Sequence, residues 1–199
     1  MKIGLLGGTF DPIHFGHLAA AGSAMECAGL DGVIFVPSAA PPHRAAAVAP
    51  AERRLAMCEL AIEGHSGFAV SDVEFRRQGP SYTVDTLSEL GRLHPRDELF
   101  LILGWDAAKL FRTWHEPGRV LTLARVVVVS RPGTSSPQAA DLEAAGLDAD
   151  RVVLCLRATP DISGSSLRRA IAAGEPVEGK VPAAVARYIT THRLYTDNR

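Results

Sequence analysis

Short apolar runs alternate with longer helical patterns from one end of the chain to the other, and this alternation constrains the fold most strongly. Lys2 to Leu6 is an apolar run ending in Gly7-Gly8, as a buried parallel strand would. Phe15 to Ala28 follows with helical composition and is stopped by Gly29. Val33 to Val36 is a second strand ended by Pro37, and the Pro- and Ala-rich stretch from Ser38 to Pro50 reads as a loop. Ala51 to Ile62 is helical. Phe68 to Phe75 is strand-like with a bend at Asp72, and Thr83 to Leu93 is a helix with Thr83 or Ser81 as its cap. Leu99 to Leu103 is the next strand, then a short helix from Trp105 to Phe111. The tetravaline Val126 to Val129 is a further strand, followed by a turn-rich loop from Arg131 to Pro137 and a short helix from Gln138 to Ala145. Val152 to Leu156 is the last strand, and helices at Ser163 to Ala173 and Pro182 to Thr191 close the chain. Strands separated by helices predict a doubly wound, mostly parallel sheet with helices on both faces. In such a sheet the ligand sits beyond the carboxyl ends of the strands, where strand order reverses. The segments after Leu6, Val36, Leu103 and Val129 are therefore where chemistry is expected.

The chain has 199 residues, enough for one sizeable core, and no linker or repeat divides it, so residues 1–199 read as a single domain with a C-terminal helical part from about residue 163. Its net charge of −1 argues against a bulk nucleic-acid or membrane binder, so any anion site must be local. No apolar run approaches the ~20 residues of a membrane span. The N-terminus lacks a signal-peptide layout. Cys27, Cys58 and Cys155 are far apart, odd in number and without a CxxC pair, so buried thiols in a reducing cytoplasm are expected.

The segment Gly7-Gly8-Thr9-Phe10-Asp11-Pro12-Ile13-His14-Phe15-Gly16-His17 joins the first strand to the first helix. Its glycines admit a ligand close to the backbone, and the helix start offers unpaired N–H groups and the positive end of a dipole. His14 and His17, three apart, share one face of the first turn and make the corner suited to phosphate. A tight turn with two partly buried histidines, or a metal site of His14, His17 and Asp11, are the alternatives. The glycine spacing fits neither GxGxxG nor a P-loop.

This segment resembles the TFDPxHxGH motif of the nucleotidyltransferase superfamily of Rossmann-like enzymes, and its paired glycines and HxGH look most like the bacterial nicotinate-nucleotide adenylyltransferase branch. Ile162-Ser163-Gly164-Ser165-Ser166-Leu167-Arg168, in isolation an ordinary Ser-capped helix start, resembles the ISSTxxR motif of the same superfamily, with Gly164 in place of the usual hydroxyl residue. Pro41-Pro42-His43-Arg44 is similar to the family's PPHK or PPHR segment. Before it stand Ser38-Ala39-Ala40, where the family often has Asn. Ser81-Tyr82-Thr83-Val84-Asp85-Thr86-Leu87 resembles the SYTxDTL stretch of the nicotinate-nucleotide branch. Gly104-Trp105-Asp106 followed by Trp114-His115 resembles its GxD…W arrangement, and Leu194-Tyr195 echoes the family's ending.

The resemblance implies a reaction of ATP with nicotinate mononucleotide that gives nicotinate adenine dinucleotide and pyrophosphate, a step of NAD biosynthesis. It implies catalytic roles for His14, His17 and Arg168. It implies an ATP site of Gly7, Gly8, Thr9, Phe10, His14, His17, Gly104, Asp106, Ile162, Ser163, Ser165, Ser166 and Arg168, to which Arg131 is added because it follows the tetravaline strand on the expected ligand side. The nicotinate-nucleotide site it implies holds Ser38, Arg44, Tyr82, Thr83, Asp106, Trp114 and His115, with Trp114 stacking on the pyridine ring. Mg²⁺ is implied as an ion held by ATP phosphates and water, without a protein cage. The alternatives are a phosphopantetheine adenylyltransferase, a cytidylyltransferase, or a module that binds nucleotides without reacting them. The SYTxDTL-like stretch and Trp114 argue against the first two, and the intact His14, His17 and Arg168 against the third. The sequence leaves a homo-oligomer open.

Overall fold

The computed structural model describes residues 1–40, 47–130, 137–157 and 159–196. Six strands, β1 (Lys2–Gly8), β2 (Gly32–Pro37), β3 (Phe68–Val70), β4 (Glu98–Gly104), β5 (Arg125–Val129) and β6 (Val152–Cys155), form one sheet in the order β3-β2-β1-β4-β5-β6. Every pairing is parallel. The expected doubly wound α/β sheet is present, with its order reversing between β1 and β4.

Alternation along each strand sends side chains to two separate cores. Leu6, Val33, Phe35, Phe100, Ile102, Val127 and Val129 face one core, which is covered by α1 (Phe15–Ala28), α2 (Ala51–Ile62), α7 (Gly164–Ala172) and α8 (Ala183–Thr191). Leu5, Ile34, Val36, Leu101, Leu103, Val126 and Val128 face the other, beneath α3 (Thr83–Leu93), α4 (Trp105–Ala108), α5 (Pro117–Leu123) and α6 (Ala139–Ala144). Strands buried on both faces read as continuous apolar runs, which is why they stood out in the sequence.

Three expectations change, and one helix is added. The strand from Phe68 stops at Val70, and Val73–Arg76 forms a 3-10 turn that buries Val73 and Glu74. The helix at Trp105 ends at Ala108, with Phe111–Thr113 as a separate 3-10 turn. A seven-residue helix, α5, begins at Pro117 in a stretch to which the sequence pattern assigns no element, and Pro at the first helical position gives up no needed N–H. Neither Thr83 nor Ser81 caps α3. Tyr82 is the cap residue, without a side-chain bond, and Ser81 Oγ accepts the Ala40 N–H at 3.0 Å.

The cysteine expectation is corrected as well. Cys58 is a buried free thiol, and burial pushes its pKa up, away from reactivity. Cys27 and Cys155 instead form a disulfide with Cα atoms 5.8 Å apart. The fold lays the end of α1 beside the end of β6, a proximity that sequence spacing cannot reveal. Cysteine usage therefore no longer argues for a reducing compartment. Among the described residues, no helix is long and apolar enough to cross a membrane.

The disulfide closes a loop across a sequence separation of 128 residues. Reduction, or Cys27→Ser, is expected to lower the unfolding free energy by about 2–4 kcal/mol in urea titrations. Coincident titrations with and without dithiothreitol would contradict the cross-link.

Candidate active site

A cavity of about 370 Å³ opens at the carboxyl ends of β1 and β4, where the sheet order reverses. One wall is the end of β1 with Gly7, Gly8 and Thr9, continued by His14, Gly16 and His17. The opposite wall carries Ser81, Tyr82, Thr83, Trp114 and His115, and the floor includes Gly104 and Asp106. Ser130, Thr159, Pro160 and Ile162 complete it beyond β5.

The histidine corner is rigid. His14 is the cap residue of α1 and His17 its third residue, and together they make a reciprocal capping box. The His14 N–H donates to His17 Nδ1 at 3.3 Å. With Nδ1 accepting, the neutral His17 ring carries its proton on Nε2. The two rings stack with centroids 3.7 Å apart, and Phe10 meets His17 edge-on at 4.9 Å. Gly16 relieves crowding between them, because a methyl group there would lie 3.0 Å from His14 Nδ1 and 3.3 Å from the Pro160 carbonyl oxygen, tighter than ordinary contact. His14 is 3% exposed.

Beneath this corner lies a buried carboxylate. Asp11 Oδ2 accepts the Val48 N–H at 2.8 Å. Asp11 Oδ1 accepts the Ala49 N–H at 3.0 Å and the Tyr195 hydroxyl at 2.8 Å. Arg168 Nη1 donates to the Asp11 carbonyl oxygen at 2.6 Å and lies 3.6 Å from Oδ2. Arg54, 1% exposed, donates to the carbonyls of Thr9 at 2.7 Å and Ala49 at 3.2 Å. Burial lowers the Arg54 pKa and Asp11 partly offsets this. With three hydrogen bonds to its oxygens and the Arg168 charge beside it, Asp11 is committed to the fold. Among the described residues no group of three or more His, Cys, Asp or Glu is arranged to hold a metal ion.

The expected site residues fall into four groups. Gly7, Gly8, Thr9, His14, His17, Ser38, Tyr82, Thr83, Gly104, Asp106, Trp114, His115 and Ile162 all line the one cavity. Tyr82 and His115 stack at 4.2 Å, and Trp114 leans on Phe111 at 5.4 Å, so the aromatic wall is braced. Ser163, Ser165, Ser166 and Arg168 lie just outside the cavity wall, at the start of α7. Ser163 Oγ accepts the Ser166 N–H at 3.2 Å as its cap, and the Ser163 and Ser166 hydroxyls bond at 2.8 Å. Phe10 differs from expectation: its side chain is 2% exposed in the core and supports His17 from below. Arg44 and Arg131 lie outside the described residues.

The Gly164 departure has a steric reason. A methyl group there would lie 3.1 Å from the Asp11 carbonyl oxygen and 3.4 Å from Arg168 Nη1, so Gly lets α7 sit close against the turn.

Two cavity-lining groups gave no signal in the sequence. Glu74, 7% exposed, accepts the Thr86 hydroxyl at 2.7 Å, and Arg77 Nη2 donates to the same hydroxyl at 3.1 Å. Ser130 sits at the end of β5. Isolated polar residues at unremarkable spacing become wall residues only through the crossover that assembles the sheet.

The cytidylyltransferase-like family profile matches residues 5–170. A Thermus thermophilus protein named a probable nicotinate-nucleotide adenylyltransferase is 48% identical over 195 residues, covering 98% of this chain and all (100%) of its own. One of the same name from Dehalococcoides mccartyi is 42% identical over 199 residues, covering 98% and 97%. The chain belongs to the cytidylyltransferase-like family, among its nicotinate-nucleotide adenylyltransferases. The family fold extends to distant structures. A Plasmodium falciparum nicotinic acid mononucleotide adenylyltransferase complexed with NaAD superposes with a TM-score of 0.77 at 18% identity, covering 98% of this chain and 97% of that one. A Vibrio parahaemolyticus putative nicotinate-nucleotide adenylyltransferase does so at 0.70 and 17%, covering 99% and 97%.

Proposed function

We propose that this chain transfers the adenylyl group of ATP to nicotinate mononucleotide, giving nicotinate adenine dinucleotide and pyrophosphate in NAD biosynthesis. The observation that carries this reading is a single cavity with two unlike ends. One end is a stacked histidine pair at a helix start, suited to phosphates. The other is a braced wall of Tyr82, Trp114 and His115, suited to a flat ring. Its volume of about 370 Å³ falls within the range of small-molecule sites. The 48% and 42% identical relatives support the same substrates.

A phosphate oxygen of nicotinate mononucleotide attacks the α-phosphorus of ATP. A new phosphorus–oxygen bond forms as the bond to the bridging α,β-oxygen breaks, and its electron pair leaves with pyrophosphate. The attacking oxygen is already ionised at neutral pH, so no side chain must remove a proton and none becomes covalently attached. What remains is alignment and cancellation of charge. The N-terminal amides of α1 face the triphosphate, and His17, with its proton on Nε2, donates toward the charge building at the α-phosphate. His14 holds the neighbouring oxygens. Ser165, Ser166 and Arg168 hold the β- and γ-phosphates, with Ser163 fixing the start of α7. Asp106 accepts from ribose hydroxyls, Trp114 stacks on the pyridine ring, and the amides around Thr83 meet its carboxylate. Mg²⁺ belongs to ATP in this scheme: it neutralises phosphate charge when bound and completes its shell with water.

Pyrophosphate release with a panel of acceptors tests the reading. Nicotinate mononucleotide is expected to support turnover and phosphopantetheine not to. Silence with both nicotinate and nicotinamide mononucleotide would refute it. His17→Ala is expected to lower kcat by about 10²–10³-fold while a cooperative melting transition is retained, lowered only by the loss of the α1 cap. Near-normal turnover in that variant would remove His17 from the reaction.

A further inference from the structure

The terminal Leu194-Tyr195 pair has no part in the reaction scheme, yet it reaches back to the turn that carries the histidines. Tyr195 is 8% exposed, and its hydroxyl donates to Asp11 Oδ1 at 2.8 Å. The same oxygen takes the Ala49 N–H at 3.0 Å, and Oδ2 takes the Val48 N–H at 2.8 Å. A carboxylate offers about four lone-pair sites, and neutral donors fill three of them here. Arg168 therefore meets Asp11 in an unusual way. Its short contact, 2.6 Å, is with the backbone carbonyl oxygen, while the carboxylate oxygen Oδ2 stays 3.6 Å from Nη1. Left to itself, an Arg beside a carboxylate prefers a two-pronged pair with both oxygens. Tyr195 occupies the second oxygen such a pair would need.

We propose that Tyr195 is a positioning residue that acts through Arg168: its hydroxyl holds Asp11 Oδ1 and so keeps the guanidinium on the Asp11 carbonyl, at the edge of the triphosphate site. The proposal rests on the ATP role given to Arg168 above. Without the hydroxyl, Oδ1 keeps the Ala49 N–H but gains a free lone pair, and Arg168 turns into the carboxylate, away from phosphate. Packing is a separable contribution, since Tyr195 belongs to the core covered by α1, α2, α7 and α8.

Tyr195→Phe keeps the ring and removes only the donor. Mg-ATP affinity by titration calorimetry, with KM for each substrate, is the readout, taken well below the melting transition. The expected result is about a tenfold weaker ATP Kd and a matching rise in KM for ATP, with KM for nicotinate mononucleotide unchanged. A purely structural defect would lower kcat through the folded fraction and leave both KM values alone, which overturns the proposal. An unchanged ATP Kd, or loss of the native melt, does so too. The double variant with Arg168→Lys gives an independent check: its ATP Kd should equal that of Arg168→Lys alone, and additive losses contradict action through Arg168. The ATP Kd does not depend on the acceptor. Failure with every pyridine nucleotide would thus sink the functional reading while this result still stands or falls separately.

Discussion

The buried carboxylate of Asp11 is the constraint on which the rest of the site depends. A carboxylate out of water is costly unless its oxygens are bonded. Here the bonded donors come from two distant parts of the chain, the Val48 and Ala49 amides before α2 and the Tyr195 hydroxyl near the end, while the charge of Arg168 in α7 stands 3.6 Å from Oδ2. Three residues after Asp11, the chain turns into the helix that His14 caps. Satisfying one charge therefore fixes where the histidines stand, how α7 approaches and where the C-terminal segment docks. Arg54 reinforces this from beneath by holding the Thr9 and Ala49 carbonyls. A metal ion at Asp11, His14 and His17 would have to strip the carboxylate of these partners.

The sheet supplies the second condition. Because the order reverses between β1 and β4, the segments that leave them diverge to opposite faces and a cleft opens between. The phosphate-suited helix start follows β1, and the aromatic wall follows β4 and precedes α3. Two nucleotides that must meet phosphate to phosphate can then approach from opposite ends. The protein contributes geometry and fixed dipoles, which a reaction with an already ionised nucleophile requires.

Much of this was legible in the sequence, for identifiable reasons. Parallel strands buried on both faces stand out as apolar runs, and α1, α2 and α3 begin and end where their patterns do. The histidine corner was legible because its chemistry is local: His14, Gly16 and His17 lie within one turn. What escaped was set by long-range packing. The seven-residue helix begun by Pro117 is too short to show a periodic pattern, and it packs on α3. Cys27 and Cys155 show no spacing signature, although the fold brings their Cα atoms within 5.8 Å. Glu74 and Ser130 are unremarkable polar residues until the sheet places them in the cavity wall. Phe10 sits inside a binding motif, yet its side chain serves the core. In the sequence Asp11 stands as a possible metal ligand, because its partners at 48, 49, 168 and 195 are invisible in a linear reading.

The central claim is that this site aligns two phosphates for one direct displacement and uses no covalent intermediate. The stereochemical course at the α-phosphorus tests it most directly. ATP carrying a single sulfur of defined configuration at that phosphorus would be turned over with nicotinate mononucleotide, and the configuration of the dinucleotide product determined. One in-line displacement predicts inversion. Retention would mean two successive displacements through an adenylylated side chain, and would contradict the account.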